Sequence, residues 1–251
     1  MLMGGTVVVV VPALDEAPRI ARVLNSMPRF VDDIVVVDDA SRDATVERAR
    51  SVGDPRVVVL CHAERLGVGA AITTGYRYAL GITRAPNDAL AVMAGDAQMD
   101  PRDLERVVTP VVRGHVAYVK GNRFAWRGVT RTMPFERWAV GQILSWLTSR
   151  AIGVTVHDSQ CGYTAVSRRA CEGLDLDALW PGYGYPNDLL AQLAQRGESI
   201  AEVVVRPIYA DEVSRLQPRH VVTIVSLVAR AWVARHGSGI ARPWQRSSRS
   251  T

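Results

Sequence analysis

Lysine is nearly absent from this chain of 251 residues, in which Lys120 stands alone against 29 arginines. Cysteine is also scarce, and Cys61, Cys161 and Cys171 include no C-x-x-C pair, which argues against a disulfide framework or a cysteine zinc site. No run of about 18 uncharged apolar residues occurs, and the first residues show no basic leader with a cleavage site. We therefore predict neither a membrane-spanning helix nor a signal peptide, and we expect a cytoplasmic protein.

Acidic residues are missing from the C-terminal part of the chain, where seven arginines follow Glu212. An apolar stripe predicts an amphipathic helix over 219–236, and we expect a disordered basic tail over 237–251. This helix either packs on the domain or lies on an anionic membrane surface, as a peripheral contact on its inner face. We expect no nucleic acid partner, because no aromatic residues interleave with a basic stripe. The stripe consists of Val221, Ile224, Val225, Val228 and Trp232.

Apolar β-branched runs alternate with helical patterns in the first half of the chain. This alternation predicts an α/β fold with a mostly parallel central sheet and helices on both faces. The predicted strands cover 7–11, 34–37, 57–60 and 89–93, and predicted helices cover 15–26 and 70–80, with another beginning near Asp43, capped by Ser41 or Asp43. Three strands run into the polar segments PALDEA, DDAS and AGDAQMD. Because ligand sites of parallel sheets collect at the carboxyl ends of strands, we expect the site at that edge.

Seven segments occur in an order and spacing that resemble family 2 glycosyltransferases, in the branch related to dolichol-phosphate mannose synthases. They are PALDEA (12–17), VVDDASRDAT (36–45), GVGAAITTG (67–75), AGDAQMDP (94–101), VKGNRF (119–124), DSQCGYTAVSR (158–168) and GYPNDLL (184–190). The resemblance covers roughly residues 6–216 and implies one GT-A nucleotide-diphospho-sugar transferase domain over 1–218. It also implies an inverting transfer from a UDP- or GDP-linked sugar to a polyprenyl phosphate.

The resemblance assigns the nucleotide-sugar donor to the strand ends and the loops after them. Either Asp38 or Asp39 is expected to accept an N–H of the base, with capping of the next helix as the structural alternative for Asp39. Arg215, with Arg206 as a second candidate, is expected on a loop that closes over the donor phosphates. The remaining donor contacts that we expect are Pro12, Ala13, Leu14, Glu16, Gly67, Gly69 and Asp96.

A divalent cation, Mg²⁺ or Mn²⁺, is implied by the resemblance, because the family holds one with a D-x-D motif. Asp96 matches the second acid of that motif, which makes it a candidate for catalysis as well, and Gln98 matches the glutamine that follows. Ala94 occupies the place of the first acid. We therefore expect weaker metal binding, through Asp96 and the phosphates of the donor itself.

The acceptor site is assigned to Lys120 and Arg123, two cations that suit an anionic acceptor. In an extended strand they face opposite sides, so their convergence requires a turn at Gly121. A hydroxyl acceptor needs a carboxylate base, for which Asp158 and Asp188 are candidates, whereas a phosphate monoester does not. Asp188 is equally well explained as an acid at a helix N-terminus.

Two other functions remain open at this point. The same donor chemistry can act on a soluble small molecule with a hydroxyl acceptor, such as a secondary metabolite, or the chain can bind a nucleotide sugar without turning it over. Aromatic and aliphatic residues group on a predicted helix over 134–152, where core packing is favoured over contact with a prenyl chain. They are Phe135, Trp138, Ile143, Trp146 and Leu147.

Overall fold

The computed structural model describes residues 1–208 and 218–237, without the side chains of residues 130, 131, 218 and 219. Strands and helices alternate through the first half of the chain. The strands are β1 (Val7–Ala13), β2 (Asp33–Asp38), β3 (Val57–Cys61), β4 (Ala89–Val92), β5 (Tyr118–Asn122), β6 (Thr164–Ser167) and β7 (Ile200–Val204). The helices are α1 (Ile20–Asn25), α2 (Thr45–Ser51), α3 (Val68–Ile82), α4 (Leu104–Val112), α5 (Val129–Thr132), α6 (Phe135–Ile152), α7 (Arg168–Glu172), α8 (Tyr185–Gln195) and α9 (Pro218–His236).

The seven strands form one sheet in the order β3-β2-β1-β4-β6-β5-β7. All neighbours are parallel except that β6 runs antiparallel to β4 and β5. Every residue of β1 is buried, as expected for a strand covered on both faces. The predicted mostly parallel α/β sheet is therefore confirmed, and β1 to β4 fall where the apolar runs place them.

Helices cover both faces of the sheet, because successive side chains of each strand point to opposite sides. Val8 and Val10 pack in a core with Ile72 of α3 and with residues of α6, α8 and α9. Val9 and its odd-numbered neighbours pack in a second core with α1 and with Leu104 of α4. No helix within the described residues is both long and apolar enough to cross a bilayer.

Candidate functional site

Strained backbone is concentrated in the loops that follow three parallel strands. Asp15 after β1, Ala40 after β2 and Ala97 after β4 have left-handed φ angles of 52°, 60° and 62°. Such angles are uncommon outside glycine, and they persist where the surrounding structure enforces them, which happens most often at functional sites. The strained positions therefore point to the sheet edge that the sequence predicts for the ligand.

Hydrogen bonds tie the loop after β1 to the loop after β2. The Ser41 hydroxyl accepts the backbone N–H of Asp15 at 2.9 Å, and that of Thr45 accepts the backbone N–H of Glu16 at 2.8 Å. The N-cap residue of α2 is Ala44, which makes no side-chain cap hydrogen bond, so the predicted cap is wrong for Ser41. Asp43 instead accepts the N–H of Thr45 at 3.0 Å from within the loop.

The PALDEA segment supplies the wall of the site at the end of β1. Pro12 and Ala13 are the buried last residues of the strand, and Leu14 follows them at the half-buried start of the loop. Glu16 is buried and its carboxylate binds the guanidinium of Arg19 at 2.9 Å. These residues lie beside the β2 loop.

Asp38 and Asp39 are both buried, but their carboxylates have different surroundings. One oxygen of Asp38 accepts the Ser41 N–H at 3.0 Å, while Oδ1 is buried with no hydrogen-bond partner among the residues that the structure describes. Asp39 accepts the backbone N–H groups of Leu66 and Gly67, both at 2.8 Å, and contacts Nδ1 of His62 at 2.8 Å. Asp39 therefore organises the loop that precedes α3, whereas Asp38 retains an open acceptor.

The glycines of the GVGAAITTG segment allow a close backbone contact. A Cβ atom added at Gly69 would lie 2.1 Å from the carbonyl oxygen of Trp180, and one at Gly67 would lie 2.5 Å from that of Pro181. Gly67 also has a left-handed φ of 104°. The start of α3 is thus pressed against residues 180–182, and no larger residue fits there.

A cleft opens beside Asp96, at the end of β4. Oδ1 of Asp96 accepts the backbone N–H of Gln98 at 3.0 Å. In the described part of the chain, no cluster of three His, Cys, Asp or Glu residues could hold a metal ion by itself. The cleft is lined by Asp96, Gln98, Met99, Arg123, Cys161, Gly162, Tyr163, Val205, Arg206 and Pro207.

Arg123 and Asp158 form a buried ion pair at the end of β5. The guanidinium donates to both carboxylate oxygens, from Nε at 2.7 Å and from an Nη atom at 2.8 Å. Asp158 is fully buried, and although burial raises its pKa, the charge and hydrogen bonds of Arg123 outweigh that effect and hold the pKa below its usual value. Asp158 is therefore a charged, occupied carboxylate.

Lys120 does not reach the cleft. It is 0% exposed, and its Nζ donates to the carbonyl oxygen of Cys161 at 2.6 Å. Burial lowers the pKa of this ammonium, partly offset by the charge of Asp158. The predicted contact with an acceptor phosphate does not fit this position. The turn at Gly121 that convergence with Arg123 would require is not formed, because β5 continues through Asn122.

Asp188 lies in the first turn of α8, and its side chain is also occupied. It accepts the backbone N–H of Trp180 at 2.8 Å, and its other oxygen binds the Arg230 guanidinium of α9 at 2.5 Å. Both candidate bases are thus paired with arginines. The predicted donor contact Arg215 lies outside the described residues.

Two further residues lie beside the site. Arg206 was only a second candidate in the sequence analysis, and Glu202 was not predicted. Arg206 lines the cleft with its guanidinium 5.7 Å from the Trp126 ring, and its backbone N–H donates to Asp103. Glu202 accepts the backbone N–H groups of His157 and Asp158 and so holds the segment that carries Asp158. The signal for Glu202 is its place as the one acid in the apolar strand β7.

Comparison with known proteins identifies a protein family and several relatives of this chain. The family model described as Glycosyl transferase family 2 matches residues 8–174. The chain is 30% identical over 205 residues to polyprenol monophosphomannose synthase of Mycolicibacterium smegmatis, covering 78% of this chain and 75% of that protein. It is also 30% identical over 208 residues to undecaprenyl-phosphate mannosyltransferase of Micrococcus luteus, covering 79% and 82%.

Solved structures agree with the sequence relatives. Glucosyl-3-phosphoglycerate synthase of Mycobacterium tuberculosis, in complex with Mn²⁺, UDP and glucosyl-3-phosphoglycerate, is 25% identical with a TM-score of 0.66. The match covers 96% of this chain and 82% of that one. Since the family match spans more than half of the chain, this protein belongs to glycosyl transferase family 2 and is a glycosyltransferase with a GT-A fold.

Proposed function

We propose that this enzyme transfers a sugar, with inversion, from a UDP- or GDP-linked donor to a polyprenyl phosphate. A phosphate oxygen of the acceptor attacks the anomeric carbon while the bond from that carbon to the diphosphate breaks, and a nucleoside diphosphate leaves. The relatives named for polyprenol, undecaprenyl and dolichyl phosphates support this acceptor class.

The pairing of both candidate bases with arginines is the observation that carries the proposal. A hydroxyl nucleophile needs a free carboxylate to take its proton. Asp158 is held by Arg123, and Asp188 by Arg230. A phosphate monoester has a second pKa of about 6 and is therefore already nucleophilic at neutral pH. An acceptor that needs no base fits a site in which both candidate carboxylates are paired with arginines.

The donor base is assigned to Asp38. Its Oδ1 is buried and unpartnered, and a buried acceptor without a partner is costly unless a ligand satisfies it. The imide N–H of uracil or the N–H groups of guanine are suitable donors for a carboxylate. Asp39 is committed to His62 and to two backbone N–H groups, so it shapes the loop around the donor.

The site residues fit a divalent cation that depends on the donor. Mg²⁺ and Mn²⁺ prefer oxygen ligands, and Mg²⁺ commonly takes one or two carboxylates together with substrate phosphates. Asp96 and Gln98 would hold such an ion in the cleft. When bound, the ion would neutralise charge on the leaving diphosphate. Without an acid at Ala94, the protein supplies one carboxylate fewer than a D-x-D motif does.

The acceptor phosphate is assigned to Arg123 and Arg206, which both line the cleft beside Asp96. Guanidinium groups suit phosphate because they present several N–H donors in one plane. Arg206 thereby takes the acceptor role that we predicted for Lys120. Arg215 remains a proposed contact of the closing loop. Because polyprenyl phosphates are held in membranes, this function implies work at the membrane surface, on its cytoplasmic side.

A soluble phosphorylated acceptor is the second candidate. The solved relative contains glucosyl-3-phosphoglycerate, a small molecule, and it superposes on 96% of this chain. A cleft with two arginines suits either a lipid phosphate or a soluble phosphate, since both present the same anionic group. The two acceptors therefore have to be separated by experiment.

The decisive experiment measures nucleoside diphosphate release from UDP- and GDP-sugars with Mg²⁺ or Mn²⁺. Parallel reactions contain a short-chain polyprenyl phosphate, 3-phosphoglycerate or no acceptor. We expect release that requires the polyprenyl phosphate. Release that requires 3-phosphoglycerate would establish the soluble acceptor, and donor binding without release would show a binding module.

A further inference from the structure

The outer surfaces of α6 and α9 carry large apolar side chains that the domain leaves in solvent. Trp146 is 61% exposed and Trp232 is 51% exposed, while Phe135 and Val222 are 76% and 68% exposed. Single exposed residues of this kind are ordinary, but a group of them marks an interaction surface. The group, here called the α6–α9 face, comprises Phe135, Val140, Ile143, Trp146, Val222, Val225, Trp232 and Val233.

Packing onto the domain does not account for this face. On α6, the buried positions include Leu144 and Thr148, which lie on the side of the helix opposite to Ile143 and Trp146. The core packing that the sequence favours for Phe135, Ile143 and Trp146 is therefore wrong. On α9, the domain is contacted by a separate apolar row, Ile224, Leu227, Val228 and Ala231.

Two arginines join the helices within this face. An Nη atom of Arg235 donates to the backbone carbonyl of Arg150 at 3.2 Å, and the Arg150 guanidinium lies 5.8 Å from the centre of the Trp146 ring. Trp232 is one helical turn before Arg235. Neither arginine forms a salt bridge with a carboxylate in the described part of the chain. The two tryptophans thus flank a pair of exposed cations.

The cleft is linked to the buried side of α6 through one aromatic side chain. Phe124, which follows Arg123, packs against α6, since a Cβ atom added at Gly141 would lie 2.5 Å from its ring. An acceptor whose phosphate sits at Arg123 would therefore have its chain leave beside α6.

We infer that the α6–α9 face docks on a bilayer that contains anionic phospholipid. Exposed tryptophans suit the boundary between headgroups and acyl chains, and arginines beside them attract anionic headgroups. Charge complementarity favours this partner, because Arg150 and Arg235 are exposed and the segment 218–237 contains no acidic residue. The inference deepens the proposed function, from which it takes the membrane-held acceptor, but docking is measurable without any sugar transfer.

The test is flotation of the full chain with vesicles of phosphatidylcholine alone or mixed with phosphatidylglycerol. We expect binding to the mixed vesicles that weakens as salt is raised. Trp146→Ala combined with Trp232→Ala should reduce the partition coefficient by roughly tenfold. Arg150→Gln combined with Arg235→Gln should remove roughly tenfold of the preference for anionic vesicles. Ile82→Ala and Arg50→Gln, exposed positions on α3 and α2, serve as controls that bind as wild type does.

Three results would overturn the inference. They are absence of binding to the mixed vesicles, equal binding by the two double variants and the wild type, and a dimer in solution that the tryptophan variant converts to a monomer while vesicles stay unbound. The last result would make the face a contact between copies of this chain. Circular dichroism and thermal unfolding confirm that each variant is folded.

Sugar transfer separates this inference from the proposed function. With a water-soluble short-chain polyprenyl phosphate, the double variants should retain wild-type turnover, because neither pair touches the cleft residues. With a long-chain acceptor embedded in mixed vesicles, both should lose activity in proportion to their lost binding. Vesicle binding without any lipid-dependent transfer would reject the proposed acceptor and leave the docking surface standing.

Discussion

The guanidinium of Arg123 binds both carboxylate oxygens of Asp158, although the two residues are 35 positions apart in the chain. The backbone N–H of Arg123 donates to the same carboxylate at 3.0 Å. This arrangement fixes the direction of Arg123 at the edge of the cleft. Asp158 is thereby a positioning residue in our account, and its charge is needed for the fold as well as for the site.

Asp158→Asn should destabilise the protein and weaken transfer without abolishing it. Removing one partner of a buried ion pair costs about 3–5 kcal/mol, because the other charge stays buried. Activity should survive, since a phosphate acceptor needs no base. Chemical denaturation and initial rates at saturating donor measure the two effects. Asp177→Asn is the matched control, because the Asp177–Arg77 pair is exposed and should contribute little. Complete loss of transfer in a folded Asp158→Asn enzyme would identify a base.

The same pair predicts a loss of stability in acid. The pKa of Asp158 is lower in the folded protein than in the unfolded chain, where it is about 3.9. Its stabilising contribution is therefore complete above that unfolded value and is lost as the pH falls through the folded one. Unfolding free energies of wild type and Asp158→Asn, measured from neutral pH downwards, should converge below about pH 4. A constant difference would contradict the assignment.

At the alkaline end of the pH range, Lys120 should make the free energy of unfolding depend on pH. Burial lowers its pKa in the folded state, so the folded protein binds this proton less tightly than the unfolded chain does. Its contribution to stability therefore rises with pH from the folded pKa up to the unfolded value of about 10.4. Relative to Lys120→Met, the wild type should gain unfolding free energy across that window. Parallel curves for the two proteins would show that Lys120 does not titrate there.

Asp38→Asn and Asp39→Asn should separate donor recognition from loop structure. Ser41 needs an acceptor at position 38, so the new amide would turn its N–H₂ towards the base and oppose another donor. We expect the donor KM of Asp38→Asn to rise by about tenfold or more, with stability little changed. Asp39→Asn should instead lower the melting temperature, because it weakens the contacts with Leu66, Gly67 and His62. The reverse pattern would exchange the two roles.

Ala94→Asp should strengthen metal binding. The substitution restores the first acid of the D-x-D motif, and cation affinity rises with the number of charged oxygen ligands. The Mn²⁺ concentration for half-maximal activity should fall by about tenfold. Ala94→Asn, which has the same size and no charge, should leave that concentration nearly unchanged. Equal effects of the two variants would remove charge as the cause.

Two glycines of α3 should respond oppositely to alanine. Gly69→Ala places a methyl group against the Trp180 carbonyl and should destabilise the protein by about 1–3 kcal/mol. Gly81 has no neighbouring atom within 4 Å of an added Cβ, so Gly81→Ala should stabilise the helix by up to about 1 kcal/mol. Thermal unfolding measures both, and a stable Gly69→Ala variant would contradict the tight contact described above.

The strands β1, β2 and β4 were predictable because nearly all of their residues are buried, and such strands appear as continuous apolar runs. The edge strand β3 is only half-buried, but it is also a continuous apolar run. The site was predictable as a sheet edge because acids follow three of those strands. The hydrogen-bond and ion-pair partners of the charged residues at this edge were not predictable. Nothing in the spacing of Lys120 indicates that its ammonium donates a hydrogen bond to a carbonyl 41 residues later, and a buried lysine contradicts the usual exposure of that residue.

The two tryptophan-bearing helices show a second limit of the sequence. Apolar residues on α6 occur on several sides of the helix, so periodicity gives no single inward face. The structure turns Leu144 inwards and Trp146 outwards. The choice depends on Thr148 and Ser145, whose hydroxyls bond to the α6 backbone and can therefore be buried. Small polar residues whose hydroxyls hydrogen-bond to their own helix are thus buried at positions where hydropathy predicts exposure to solvent.

The burial of the only lysine has a practical consequence for handling this protein. A reagent that acylates lysine side chains finds no accessible lysine in the folded domain, since Lys120 is 0% exposed. Modification at that residue therefore counts the molecules that have opened, and peptide mass spectrometry can read the count from one site. The enzyme thus carries its own single-site reporter of unfolding, whose labelling rate follows the opening of β5.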